Sequence, residues 1–188
     1  MSVLVLGIGN ILWADEGFGV RAVEALHRLY VMADGVDLLD GGTQGLYLVN
    51  RVAEVERLLV FDAIDYGLKP GTLKVVTGDE VPKFTGAKKM SLHQTGFQEV
   101  LSAADLMGHY PKDIALIGCQ PLDLEDWGGP LTAPVAASIE PALAAAADIL
   151  ADWGVAPIRR AAPLPPESGL LANDIDRVAY ERPRVGLA

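Results

Sequence analysis

The stretch that most constrains this chain is the apolar run Val3-Leu4-Val5-Leu6, followed by Gly7-Ile8-Gly9 and then by the adjacent acids Asp15 and Glu16. Four consecutive apolar residues read as a strand buried on both faces, and glycines directly after it permit a tight exit. From Gly17 the apolar positions Val20, Val23, Leu26 and Tyr30 recur at helical spacing, so a helix is expected, with Glu16 at its entrance. Orphan N–H groups at such an entrance favour a negative charge, which is a purely structural reason for an acid there. Strand, glycine turn and helix together outline a dinucleotide loop, but Leu12 stands where that fingerprint needs its third glycine. Two carboxylates would also repel a pyrophosphate, so no nucleotide is expected, and a cation or water suits the turn better.

The same alternation continues downstream. Val36–Leu39, Leu58–Phe61 and Ile114–Ile117 read as further strands, and Thr72–Val76, after the turn Leu68-Lys69-Pro70-Gly71, as an antiparallel strand at the sheet margin. Helical material lies between them: Leu46–Val52, a segment opening near Ser91 with Phe97, Val100, Leu101 and Leu106 on one face, and an alanine-rich run from Leu131 to Gly154. A bend or broken turn is expected at Pro141, while 79–89 reads as a loop. The expected class is α/β, with a mostly parallel sheet. Right-handed crossovers would carry the loops after the first three strands to one edge, where Glu16, Asp40 and Asp62 approach one another from separate connections.

A chain of 188 residues, 51% apolar, suits one core. We place a single domain at 1–155 and read 156–188, with Pro163, Pro165 and Pro166, as a tail or peripheral arm. A net charge of −10 argues against a nucleic-acid partner and permits a basic protein segment. Cys119 is the only cysteine, which excludes an intramolecular disulfide and a cysteine-cluster metal site and fits a cytoplasmic location. The N-terminus lacks signal-peptide character, and no uncharged apolar run reaches membrane-spanning length, so no membrane insertion is expected.

Glu16, Asp62 and His93 each fall at an element boundary. Two carboxylates and an imidazole suit a divalent ion such as nickel, zinc or manganese, and could equally perform acid–base chemistry on water. Each has a plainer competitor: Asp62 as an acceptor for loop N–H groups, His93 as a polar residue at a helix start. Asp40, before Gly41-Gly42, is an ordinary turn residue as well as a candidate acid. Cys119 lacks a sequence-local base, Ser91 lacks a nucleophile elbow, and His27 and His109 have no neighbouring acid. Trp127 is a candidate lid or partner contact, or else cover for the sheet edge.

The segments GIGNILWADEGFG (7–19), DGGT (40–43), FDAID (61–65), SLHQTG (91–96), GCQP (118–121) and LTAPV (131–135) resemble, in order, the endopeptidases that mature the large subunit of nickel–iron hydrogenases. The resemblance spans about residues 1–153. It implies a three-layer α/β sandwich with a twisted central sheet, and metal contacts at Glu16, Asp62 and His93, with Asp40 a further acid near the cleft. It also implies removal of a C-terminal extension from the hydrogenase precursor after nickel insertion, the nickel being supplied within the precursor. A monomer is the simplest expectation for an enzyme that admits so large a substrate. The alternative of another class is a noncatalytic module that checks the metal or chaperones the precursor.

Overall fold

The computed structural model describes residues 1–81, 92–165 and 168–170, with the side chains of 92–96 outside that description. Its strands are β1 (Val3–Ile8), β2 (Tyr30–Val31), β3 (Val36–Gly42), β4 (Arg57–Ala63), β5 (Leu73–Thr77), β6 (Asp113–Cys119) and β7 (Ile158–Arg159). Its α-helices are α1 (Phe18–Leu29), α2 (Val49–Ala53), α3 (Leu92–Leu106) and α4 (Ala133–Asp152). The main sheet has the order β3-β1-β4-β6-β5, parallel except for β5, which runs antiparallel to β6. This is the expected class, including the antiparallel strand at the margin.

Period-two alternation sorts the strand residues into two apolar layers. Val3, Val5, Leu59, Phe61, Ala115 and Ile117 pack with α1 and α4 through Val23, Leu26, Val135 and Leu143. Leu4, Leu6, Leu58, Val60, Ile114 and Leu116 face Val52, Phe97, Val100 and Leu101 of α2 and α3. Both sheet faces are therefore covered, which is why these strands read as unbroken apolar runs rather than alternating ones. By length and composition alone α4 could cross a membrane, but here its apolar side packs on β6 and α1.

Two glycines set the distance between α1 and the sheet. A Cβ on Gly19 would lie 2.2 Å from the Ile8 carbonyl oxygen and 2.3 Å from that of Phe61, and one on Gly7 2.4 Å from the Gly19 carbonyl oxygen. The first turn of α1 thus rests directly on the exits of β1 and β4. The preceding 3₁₀ turn, Ala14–Gly17, packs against β4.

Several local expectations are corrected. Tyr30 leaves the helix and starts β2, where it is buried beneath the pairing with Arg159. Leu106 is 90% exposed, and Ala104 takes the core position in its place, because the buried face of α3 follows 97-100-101-104. Pro141 does not break α4: its ring and the Ala137 carbonyl it leaves without a helical donor both lie on the exposed side. The Leu46–Val52 helix is a 3₁₀ turn, Gly45–Leu48, running into α2. Of the expected loop 79–89, residues 79 and 80 belong to a 3₁₀ turn, Gly78–Glu80, while 82–91, with Ser91, lie outside the described residues.

The described part of 156–170 is an arm laid along the end of α1. β7 pairs with β2, Leu164 N–H donates to the Arg28 carbonyl at 2.9 Å, and His27 Nε2 meets the Ser168 carbonyl at 2.9 Å. Arg159 forks onto Glu140, with both N–O distances 3.1 Å.

Because the Gly19 contacts are with backbone carbonyls rather than movable side-chain ends, Gly19→Ala is expected to destabilise the fold by about 3 kcal/mol. Urea unfolding checks this, and an unchanged midpoint would contradict the close seating of α1.

Candidate active site

In the parallel part of the sheet, the carboxyl ends of β1, β3, β4 and β6 form one edge, and the candidate residues collect there. Glu16 follows β1, Asp40 lies near the end of β3, and Asp62 is the penultimate residue of β4. α3 opens at the same edge. Phe97, one turn past its start, lines a narrow cleft with Ile8, Gly42 and Thr43, and the helix then runs back toward the amino ends of the strands before β6 begins. The backbone of His93 is thereby placed in the first turn of α3, while its imidazole lies outside the described residues. Among the described residues no three His, Cys, Asp or Glu side chains form a metal-sized group.

Asp62 is 5% exposed and shares the α2/α3 side of the sheet with Val60. In register it stands opposite Gly118, which in turn stands opposite Lys74. The Tyr66 ring fills the space a side chain at 118 would take, since a Cβ there would sit 2.3 Å from the Tyr66 oxygen. Lys74 Nζ lies 5.1 Å from the centroid of that ring. Burial, and then the negative charge of Asp62, push the Tyr66 phenol well above its ordinary range, so it remains a neutral hydroxyl beside the carboxylate.

Asp40 occupies the same edge but the other side. Its strand parity matches Val36 and Leu38, which pack with the α1 layer, and its electrostatic neighbours are Arg21 and Glu24 of α1. Those two form a buried ion pair at 2.9 Å. Asp40 Oδ1 accepts the Gly42 N–H at 2.8 Å, which is the turn role open to it from sequence. Burial raises its carboxyl above the ordinary 3.8, against the lowering by that hydrogen bond and by Arg21.

The residue that sequence reasoning passed over is Asp15. It is fully buried, and its carboxyl group accepts four hydrogen bonds. Oδ1 takes Thr132 N–H at 2.7 Å, while Oδ2 takes Leu122 N–H at 2.8 Å, Asp123 N–H at 3.0 Å and the Thr132 hydroxyl at 2.9 Å. One side chain thus ties the turn carrying Glu16 to the loop after β6 and to the N-cap of α4. The neighbouring Ala14 sits at φ +34, a left-handed conformation costing about 1 kcal/mol. Gln120 acts similarly on the loop after β4: Oε1 accepts Tyr66 N–H and Leu68 N–H, and Nε2 donates to Asp65. The available signal for both was a polar residue inside an otherwise apolar or glycine-rich junction.

Cys119 closes β6, fully buried and 3.2 Å from the Ser138 hydroxyl. Burial pushes its thiol up to about 11, so it is no thiolate nucleophile. Trp127 does not cover the sheet. It is 63% exposed and meets Trp13 edge-on, with centroids 4.9 Å apart.

The fold is an α/β domain whose candidate residues gather at the carboxyl ends of its parallel strands. A family model described as hydrogenase maturation protease matches residues 20–149. The hydrogenase expression/formation protein HupD of Bradyrhizobium diazoefficiens is 70% identical over 95% of this chain and 93% of its own length. The hydrogenase 2 maturation protease of Escherichia coli is 45% identical over 86% of this chain and 98% of its own. The solved structure of the E. coli hydrogenase maturating endopeptidase HybD matches with a TM-score of 0.81 at 43% identity, covering 85% of this chain and 98% of that one. The chain therefore belongs to the hydrogenase maturation protease family.

Two outcomes follow from the geometry. Asp15→Ala strands three N–H groups and a hydroxyl in a buried junction, and is expected to cost about 3 kcal/mol in chemical unfolding; a loss below about 1 kcal/mol would contradict the clamp. Asp40 binds its proton more tightly folded than unfolded, so stability contributed below 3.8 is lost as pH rises through the folded value. Asp40→Asn should flatten that decline above pH 3.8, and an unaltered pH profile would contradict it.

Proposed function

We propose that this protein is the endopeptidase that removes the C-terminal extension of a nickel–iron hydrogenase large-subunit precursor once nickel has been inserted. The observation that carries the reading is the arrival of Glu16, Asp62 and the first turn of α3 at one sheet edge, in a member of this protease family. Nickel enters as part of the substrate. There it supplies Lewis-acid polarisation of the scissile carbonyl or of a water.

Glu16 and Asp62 offer carboxylate oxygens and His93 an imidazole, a donor set suited to a divalent ion of nickel's class. Three protein donors leave coordination positions for precursor groups or water, so the complete site exists only when metal and substrate are both present. Recognition of the right ion then comes from geometry as well as affinity. The neutral Tyr66 hydroxyl next to Asp62 is a fixed dipole that helps hold that carboxylate's environment. Asp40, on the α1 side, is the weaker candidate, for positioning or proton transfer at the edge.

Incubating purified protein with nickel-loaded precursor and weighing the products tests the reading, because only a peptidase yields a defined C-terminal fragment. The fragment is expected from wild type and from Cys119→Ser, and is expected to be absent with Asp62→Asn and His93→Ala, both folded by circular dichroism; Glu16→Gln should cut more weakly. Tight precursor binding with no fragment from wild type would favour the metal-checking chaperone. Loss of cutting in a folded Cys119→Ser protein would revive a thiol mechanism.

A further inference from the structure

We propose that the aromatic ridge formed by Trp13 and Trp127 beside Glu16 is the docking surface for a basic, apolar segment of the polypeptide substrate, an inference that rests on the proteolytic reading above. Leu12, Leu122 and Trp127 are 36%, 59% and 63% exposed. They lie on two loops, one leaving β1 and one leaving β6, both at the carboxyl edge.

The ridge is built rather than loose. Trp13 and Trp127 form an isolated backbone bridge, Gly128 N–H donates to the Leu12 carbonyl at 2.7 Å, and Asp15 N–H donates to the Asp123 carbonyl at 3.1 Å. The buried carboxyl of Asp15 then fastens the base of the second loop to the turn that bears Glu16. Aromatic side chains fixed in this way lose little freedom on contact, which is what makes rigid indoles effective anchors. Glu16 N–H donates to the Trp13 carbonyl at 2.9 Å, so the ridge and the candidate acid share one turn.

Charge selects the partner. Glu125 and Asp126 are exposed, and their loop is folded on itself by Asp123, whose Oδ1 accepts both of their N–H groups at 2.8 and 3.1 Å. No described lysine or arginine pairs with either carboxylate. An exposed indole directly after two exposed acids makes an acidic, aromatic rim that attracts a lysine or arginine through cation–π and ionic contact together, while the exposed Leu12 and Leu122 accept its apolar neighbours. A second copy of this chain, with net charge −10, is a poor occupant for such a rim.

The test is steady-state cleavage of nickel-loaded precursor by wild type, Trp127→Ala and Glu125→Lys, with sedimentation equilibrium on wild type and Trp127→Ala. Both substitutions should raise KM about tenfold and lower kcat far less, Trp127→Phe should recover most of the loss, and wild-type KM should climb with salt. KM values within about twofold of wild type in both variants, with normal wild-type cutting, would overturn the ridge and leave the proteolytic reading standing. A wild-type dimer that Trp127→Ala dissolves would make the ridge a self-interface and overturn the assignment. No fragment from wild type would overturn the proteolytic reading and the ridge together.

Discussion

The structure depends on a backbone-to-backbone contact that only glycine allows. Gly19 lies against the carbonyls of Ile8, which ends β1, and Phe61, near the end of β4, and Gly7 lies against Gly19. This contact lowers the first turn of α1 onto the sheet edge, and with it the short turn of residues 14–17. The separation between Glu16 and the exit of β4 is therefore set by main-chain packing rather than by the reach of flexible side chains.

A second tie joins the loops. Asp15, Glu16's neighbour, faces inward and fixes the loop after β6 and the start of α4, while Gln120 fixes the loop after β4. Three of the loops leaving the carboxyl edge are thus cross-linked by two buried polar side chains. Alternation of neighbouring residues on one tight turn gives them opposite duties: Asp15 is wholly buried, whereas Glu16 keeps partial exposure at the edge.

Much of this architecture was legible in the chain. The unbroken apolar runs at 3–6, 58–61 and 114–117 announced strands covered on both faces, and the Pro-Gly turn before Thr72 announced the antiparallel margin. What escaped depended on partners far away in sequence. Nothing near Asp15 reveals that Thr132 and Leu122 will supply its donors, and nothing near Tyr30 reveals a two-residue pairing with Arg159. The side of the sheet on which Asp40 falls follows from strand parity counted to the Gly41 irregularity, which composition does not show. Pro141 misled because helix propensity ignores exposure: an outward proline costs a hydrogen bond but no core contact. The shared edge of Glu16, Asp40 and Asp62 was legible from right-handed crossovers between parallel strands, but the opposite sides of the sheet taken by Asp40 and Asp62 were not.

The proposed function makes the site at this edge complete only when a nickel-bearing precursor fills it. Nickel K-edge X-ray absorption of nickel-loaded precursor, alone and rapidly frozen with the protein, addresses that claim at the metal itself. Additional oxygen and imidazole scattering around nickel is expected when the protein is present, with the imidazole part missing for His93→Ala. A nickel spectrum unaltered by wild-type protein under conditions where the two are bound would contradict it.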